Sequence, residues 1–444
     1  MSPLTDGMVA SGPSGPATAF PRLVSAMFSS SVGVLVALFT PLQLLLTLKL
    51  TAIASEGAVG AFGVVTGVGA LCALVAGPVA GRISDRTAVR FGRRRTWILT
   101  GALLGSLVVF VGGFATTVWQ VGFVWCAIQV IFNFQIAATN ALLADQVPAA
   151  RRSTVSGFMG LALAVGPLLG IAAVGGLSSP VAQWGVVAGI SAIAGVLAVV
   201  LLHDPRHARN AGHAGLNFQE LLKSFWLNPW NHPAFGWAWL VRFLLYCAYA
   251  SSTYNAFFVM SRFGVASGQV GRVVLVMSTL AVGLLAITSV VAGLISDWVR
   301  RQKPFVIAAG LLAAGGLVLM TTATTLGAVY VAMAMLGISM GLFVAIDNAM
   351  CIRTLPNGDN VGRDLGIINL ASTLPQSFVP FIAPFLLHLG GFPVLYSTLA
   401  VIACAGAAAV LHLPEIGREG DPRWAVITRT GTAATRSRSG WRSR

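Results

Sequence analysis

Residues 81–95 read GRISDRTAVRFGRRR, and residues 293–297 read GLISD. Six arginines crowd the first stretch, in a chain of 444 residues of which 9% are charged and 56% hydrophobic. Soluble domains carry about 25% charged residues, so this chain cannot cover a water-facing surface. Apolar runs of roughly 20 residues, the length that crosses a hydrocarbon core about 30 Å thick, recur between residues 25 and 414. The composition is that of an all-α polytopic membrane protein, and the arginine stretch is a loop between two of its spans.

Polar breaks predict twelve transmembrane helices, at 25–48, 57–81, 96–116, 119–144, 154–177, 182–202, 235–260, 270–295, 304–323, 327–350, 364–388 and 392–413. Around them the reading expects a flexible tail at 1–24, a first six-helix half at 25–202, a linker at 203–234, a second half at 235–413 and a basic tail at 414–444. With the N-terminus inside, only Lys49, Arg262 and Arg272 lie on the outer side. That asymmetry fits the positive-inside rule with both termini and the linker in the cytoplasm, and a place in the cell membrane is expected. The first twenty residues lack the basic start and apolar run of a cleaved signal, so the first span is expected to stay.

The two halves repeat. GRISD at 81–85 returns as GLISD, and TNALLADQVP at 139–148 returns as DNAMCIRTLP at 347–356. The register closes if the second loop is four residues shorter, and Pro167 then falls on Pro375. Two pseudo-symmetric six-helix bundles follow, a fold that places a substrate site near the midplane and moves the halves against each other.

Twelve spans with G-x-x-(S/A)-D-R-x-x-x-R-(F/Y)-G-R-R-R between the second and third resemble the major facilitator superfamily, whose signature loop is GRISDRTAVRFGRRR here. The wording SDRT…RFGRRR, NALLADQVP and GRDLGIINLASTLPQ (362–376) is similar to the bacterial sucrose:proton and glycoside:cation symporter-like branch. The resemblance implies that Asp85 contacts loop arginines and neighbouring helix ends to latch the halves outward-facing. It also implies that spans one, four, seven and ten line the cavity.

The gating candidates are Gly81, Asp85, Arg86, Gly92, Arg94, Arg95, Asp145, Arg152 and Asp297. Carboxylates beside a bilayer core are costly unless paired, and the sequence offers Asp85 with Arg94 or Arg95, Asp145 with Arg151 or Arg152, and Asp297 with Arg300, Arg301 or Lys303. Gly81 and Gly92 fit close backbone approach. The alternative is a loop that stays inside and attracts anionic lipid.

Helical spacing collects polar stripes for a substrate cavity: Arg242, Tyr246, Tyr249 and Thr253 in span seven; Gln129, Asn133 and Asn140 in span four; Asn369, Thr373 and Gln376 in span eleven; Thr40 and Gln43 in span one. The alternative is hydrogen bonding between helices, about 0.6 kcal/mol each. Asp347 is the one carboxylate clearly inside a span and Arg242 the one base. They can pair, and Asp347 is the proton-coupling candidate, against a static salt bridge or a gate element of the second half.

These features predict a secondary transporter working by alternating access, moving a small molecule such as a sugar or glycoside with a proton. An exporter of a drug or natural product is the rival, and a non-transporting receptor the reading from another class. No catalytic cluster, cofactor motif or metal set is legible in the spans. The five cysteines stand singly, and His203, His207 and His213 in the linker are loosely spaced. The basic residues sit in short loops and a tail, which argues against nucleic acid; the bilayer is the expected partner, and the chain is expected to be monomeric. FQELLKSFW at 218–226 is a candidate interfacial helix.

Overall fold

The structure, a computed structural model, describes residues 18–87, 89, 91–148, 151–203, 232–299, 301–353 and 361–413. The expected tails at 1–17 and 414–444, and the linker at 204–231 with FQELLKSFW, His207 and His213, lie outside the described residues.

The described chain is helical: α1 (Phe20–Thr40), α2 (Leu46–Ala54), α3 (Ala58–Arg86), α4 (Arg93–Gly112), α5 (Val118–Asp145), α6 (Arg152–Val174), α7 (Pro180–Leu201), α8 (Pro233–Tyr249), α9 (Asn255–Phe263), α10 (Ser267–Val299), α11 (Lys303–Thr322), α12 (Leu326–Arg353), α13 (Val361–Thr373) and α14 (Pro375–Ala409). Local chemistry sets several boundaries. Thr117 and Gln120 form a reciprocal capping box at the start of α5. Ser179 caps α7 with Pro180 in its first turn. Gly264, at φ 62, closes α9 in the left-handed region.

Ten helical stretches among the described residues are long and apolar enough to cross a bilayer. One of them, Ile367–His412, runs 46 residues, about 70 Å of helix. Gly390 and Gly391 leave helical dihedral angles inside it, Gly391 at φ 70, and divide it into two crossings. A further crossing is split by a 3-10 turn at Ala250–Tyr254 into α8 and α9. These account for the twelve spans. The first span is also interrupted, by a π turn at Pro41–Leu45 between α1 and α2.

The chain gathers into two compact units, one within Met1–Leu45 and Val68–Ala214, the other within Leu46–Gly67 and Gly215–Arg444. In the first unit, Leu23, Met27, Ile98, Leu142, Val155 and Val199 form a buried cluster. Small residues let its helices approach: a Cβ on Gly195 would overlap that of Ala102, and one on Gly101 would lie 2.6 Å from the Cβ of Gln135. Trp119 and Phe123 of α5 are 78% and 75% exposed, as lipid-facing side chains must be.

The second unit is built around Val241, Leu245, Val306, Phe343, Ile346 and Val410. It also takes in Leu46–Gly67, which the repeat would assign to the first half. Phe62 meets the rings of Tyr254 and Phe257 edge-on at 5.4 and 5.2 Å. Tyr254 donates its hydroxyl to the Pro380 carbonyl at 3.0 Å. Gly63 lies against Pro384 and the carbonyl of Pro380, where a Cβ would not fit.

Candidate functional site

The sharpest polar feature of the first unit is built on Arg94. Gly92, at φ 107, turns the chain into α4, a conformation that favours glycine. Thr96 then donates to the Gly92 carbonyl at 2.7 Å. Arg94, two residues on, is 3% exposed. Its Nη2 donates to Asp85 Oδ1 at 2.7 Å, its Nε to Asp145 Oδ2 at 2.8 Å and its Nη1 to Ser84 Oγ at 2.8 Å. One guanidinium thus ties the end of α3 to the end of α5 through charge-assisted bonds. Arg93 adds a second cation to Asp145 Oδ2, at 2.9 Å. Arg95 lies over the Phe91 ring at 4.5 Å.

Two expectations need correction here. Asp145 pairs with Arg93 and Arg94 rather than with Arg151 or Arg152. The cause is that α4 packs along α5 and brings its first turn to that carboxylate, while Arg152 reaches back to the Ala144 and Val147 carbonyls at 3.4 and 3.3 Å. That places a cation at the negative end of α5. Arg151 covers the Phe20 ring at 4.6 Å. Gly81 makes no close approach, since a Cβ there would meet nothing within 4 Å. Arg86 ends α3 and is exposed. The side chains of Asp297 and Arg300 lie outside the described residues, and Lys303 donates to the Leu411 carbonyl at 3.4 Å.

In the second unit Arg242 of α8 and Asp347 of α12 meet. Nη1 of Arg242 is 3.0 Å from Asp347 Oδ2, and the two side chains are 8% and 3% exposed. The guanidinium lies 5.6 Å from the centre of the Tyr246 ring, a cation–π contact. Cys351, one turn beyond Asp347, receives a hydrogen bond from Arg242 Nη1 at 3.4 Å and donates to Asp347 Oδ1 at 3.5 Å.

The repeat gives this pair a counterpart. An offset of 212 residues (81 to 293) relates the first two spans of each half, and one of 208 (139 to 347) the fourth. By these offsets Arg242 stands where the first half has Ser30, and Asp347 where it has Thr139. Ser30 Oγ and Thr139 Oγ1 are 2.7 Å apart and buried, and Gln135 donates to Ser30 at 3.2 Å. The same junction of first and fourth spans is therefore neutral in one unit and ionic in the other. The Arg94 hub is not repeated: its position falls on Gln302, while Asp85 falls on Asp297 and Asp145 on Arg353.

The remaining span-seven stripe turns into its own unit. Ser339 donates to the Ala309 carbonyl at 2.7 Å, which leaves its oxygen to accept from the Tyr249 hydroxyl at 2.9 Å. Tyr246 and Tyr249 both pack on Phe343, at 6.0 and 6.4 Å, and Thr253 is buried. In span four, Asn133 donates to the Gln129 carbonyl at 2.7 Å; both are half-buried and Asn140 is exposed. Gln43 is half-buried in the π turn, beside buried Thr40.

In span eleven Asn369, Thr373 and Gln376 are exposed. They share a helix face with Pro380 and Pro384, the prolines that pack on Tyr254 and Gly63. That face is covered by protein at the level of the prolines and exposed where it is polar. Sequence reasoning passed over Ser30, Gln135, Thr139, Ser339 and Cys351. Laying the first and seventh spans over each other at the repeat offset would have exposed the Ser30–Thr139 and Arg242–Asp347 correspondence.

The sequence profile of the Major Facilitator Superfamily matches residues 22–378. The chain belongs to that superfamily. Among solved structures, this superfamily member resembles a D-xylose-proton symporter, at TM-score 0.65 and 15% identity over 89% of this chain and 98% of that one. A nucleoside transporter matches at TM-score 0.63 and 13% identity, covering 87% and 99%. A human organic anion transporter matches at 0.61 and 16%, covering 88% and 99%. Over 118 residues the chain is 29% identical to the general alpha-glucoside permease of Schizosaccharomyces pombe, a match covering 23% of this chain and 21% of the permease. It thus spans about a fifth of the length of that curated relative. The family and fold are those of multi-pass membrane transporters, not enzymes.

Proposed function

We propose that this transporter works by alternating access and carries a sugar or glycoside together with a proton, in the cell membrane with both termini in the cytoplasm. The observation that carries the coupling is the Arg242–Asp347 pair. Packing at that junction needs no charge, because the first unit makes it with Ser30 and Thr139. Ionisable groups inside a membrane are expensive, so an ionic version of a junction that can be neutral points to a role in moving charge. Asp347 then accepts the coupling proton when Arg242 leaves it and is ionised when paired.

The exposed Asn369 and Gln376, with Gln43, Gln129, Asn133 and Asn140, are the substrate contacts in this reading. Arg242, Tyr246 and Tyr249 form the coupling layer in the same reading. Asp85, Arg94 and Asp145 hold the gate on the cytoplasmic side. The glucoside permease similarity and the sucrose and glycoside branch wording support the sugar assignment.

Proteoliposomes supplied with labelled alpha-glucosides, pentoses, nucleosides and hydrophobic drugs, with and without an inward proton gradient, test the proposal. Gradient-driven accumulation of a glycoside is the expected result. Accumulation of drugs alone, driven outward, would establish the exporter instead.

A further inference from the structure

The thiol of Cys351 joins both members of the buried ion pair. Asp347 and Cys351 are four residues apart on α12 and so share one face. Arg242 Nη1 reaches Asp347 Oδ2 at 3.0 Å and Cys351 Sγ at 3.4 Å, while Sγ lies 3.5 Å from the other carboxylate oxygen, Oδ1. The three groups close a ring in which the sulfur accepts from the cation and the S–H donates to the anion, both of which a thiol can do. Cys351 is 2% exposed and its other side is apolar, packed with Phe235, Ile367 and Ile368. Among the described residues, the other titratable groups facing the pair are Tyr246, under the guanidinium, and Tyr249 beside it.

The repeat adds an independent observation. The offset that sets Asp347 on Thr139 sets Cys351 on Leu143. Where the junction is neutral, the third position is a hydrocarbon; where it is ionic, the third position is a side chain that can both give and accept a hydrogen bond.

We infer that Cys351 is a positioning residue of the pair, holding Oδ1 of Asp347 so that Oδ2 faces Arg242. The inference rests on the reading of Arg242 and Asp347 as the coupling pair. A second acceptor for Arg242 and a donor for Asp347 also give each ion one partner when the two draw apart, which makes their separation less costly than for an isolated pair.

The test is infrared spectroscopy of the full-length protein in lipid vesicles, with no solute added. The S–H band belonging to Cys351 is the one that Cys351→Val removes, and the carboxylate band of Asp347 the one that Asp347→Asn removes. The S–H band is expected below the position of an unbonded thiol and is expected to move toward it in Asp347→Asn. The carboxylate band is expected to shift in Cys351→Val and in Cys351→Ala, and to return in Cys351→Ser, which restores a donor. An S–H band at the same position in wild type and Asp347→Asn, or a carboxylate band indifferent to both apolar variants, overturns the inference. Survival of gradient-driven uptake in Asp347→Asn overturns the coupling reading alone, because the S–H and carboxylate bands are read without solute and do not depend on transport.

Discussion

Arg242 Nη1 stands 3.0 Å from Asp347 Oδ2, both side chains less than a tenth exposed, at the repeat position where Ser30 and Thr139 share a neutral hydrogen bond of 2.7 Å. Removing one member of a buried ion pair leaves the other uncompensated and typically costs about 3–5 kcal/mol. Replacing both by the repeat residues does not. Arg242→Ser alone is therefore expected to unfold at clearly lower temperature than the double variant Arg242→Ser with Asp347→Thr, followed by thermal denaturation in lipid nanodiscs. A double variant less stable than the single one contradicts the equivalence.

Coupling separates from transport in Asp347→Asn. The variant is expected to lose acceleration of uptake by a proton gradient while still exchanging labelled for unlabelled solute across the vesicle membrane. Exchange lost together with coupling would place Asp347 among the substrate contacts instead.

At the Arg94 hub, exposure sets the ranking. Asp145 is 28% exposed and meets two guanidinium groups, whereas Asp85 is 53% exposed and meets Nη2 of Arg94. Solvent screens the second contact more. Asp145→Asn is expected to destabilise by about 1–2 kcal/mol and Asp85→Asn by less. Arg94→Ala, which leaves both carboxylates without their shared cation, is expected to exceed either. Equal melting temperatures for the two Asn variants would refute the ranking.

Asn369→Ala and Gln376→Ala remove exposed side chains of span eleven and should leave the melting temperature unchanged while raising KM for the transported solute. Tyr249→Phe should do the opposite. It removes a bond between helices worth about 0.6 kcal/mol and lowers stability slightly, with KM unaltered. A rise in KM for Tyr249→Phe alone would return the tyrosine to the cavity wall.

Much of the architecture was legible because the bilayer imposes one length and one polarity on every span. The boundary expected between 388 and 392 falls on the Gly390–Gly391 break. The span predicted at 119–144 coincides with α5 and its Thr117–Gln120 capping box. Pairings across helices were less legible. Asp145 was assigned to Arg151 and Arg152 because they follow it in the loop, yet Arg93 and Arg94, some fifty residues earlier, reach it across the α4–α5 contact. Nothing local to Leu46–Gly67 says that it packs with the second unit, since the contacts that draw it there, at Tyr254, Pro380 and Pro384, lie roughly 200 to 300 residues further on.

By itself the sequence determined twelve apolar crossings, a twofold repeat with a readable offset, and Asp347 and Arg242 as an acid and a base able to pair inside the spans. Only the tertiary structure decided that the base meets the acid directly with a thiol touching both, that Arg94 rather than its neighbours is the buried hub, and that the span-seven tyrosines turn into their own unit. The physical reason is that lipid is as apolar as a helix face made of leucine. Hydropathy states that a helix crosses, but leaves its rotation and depth against its neighbours open, and a hydrogen bond of 3 Å depends on both.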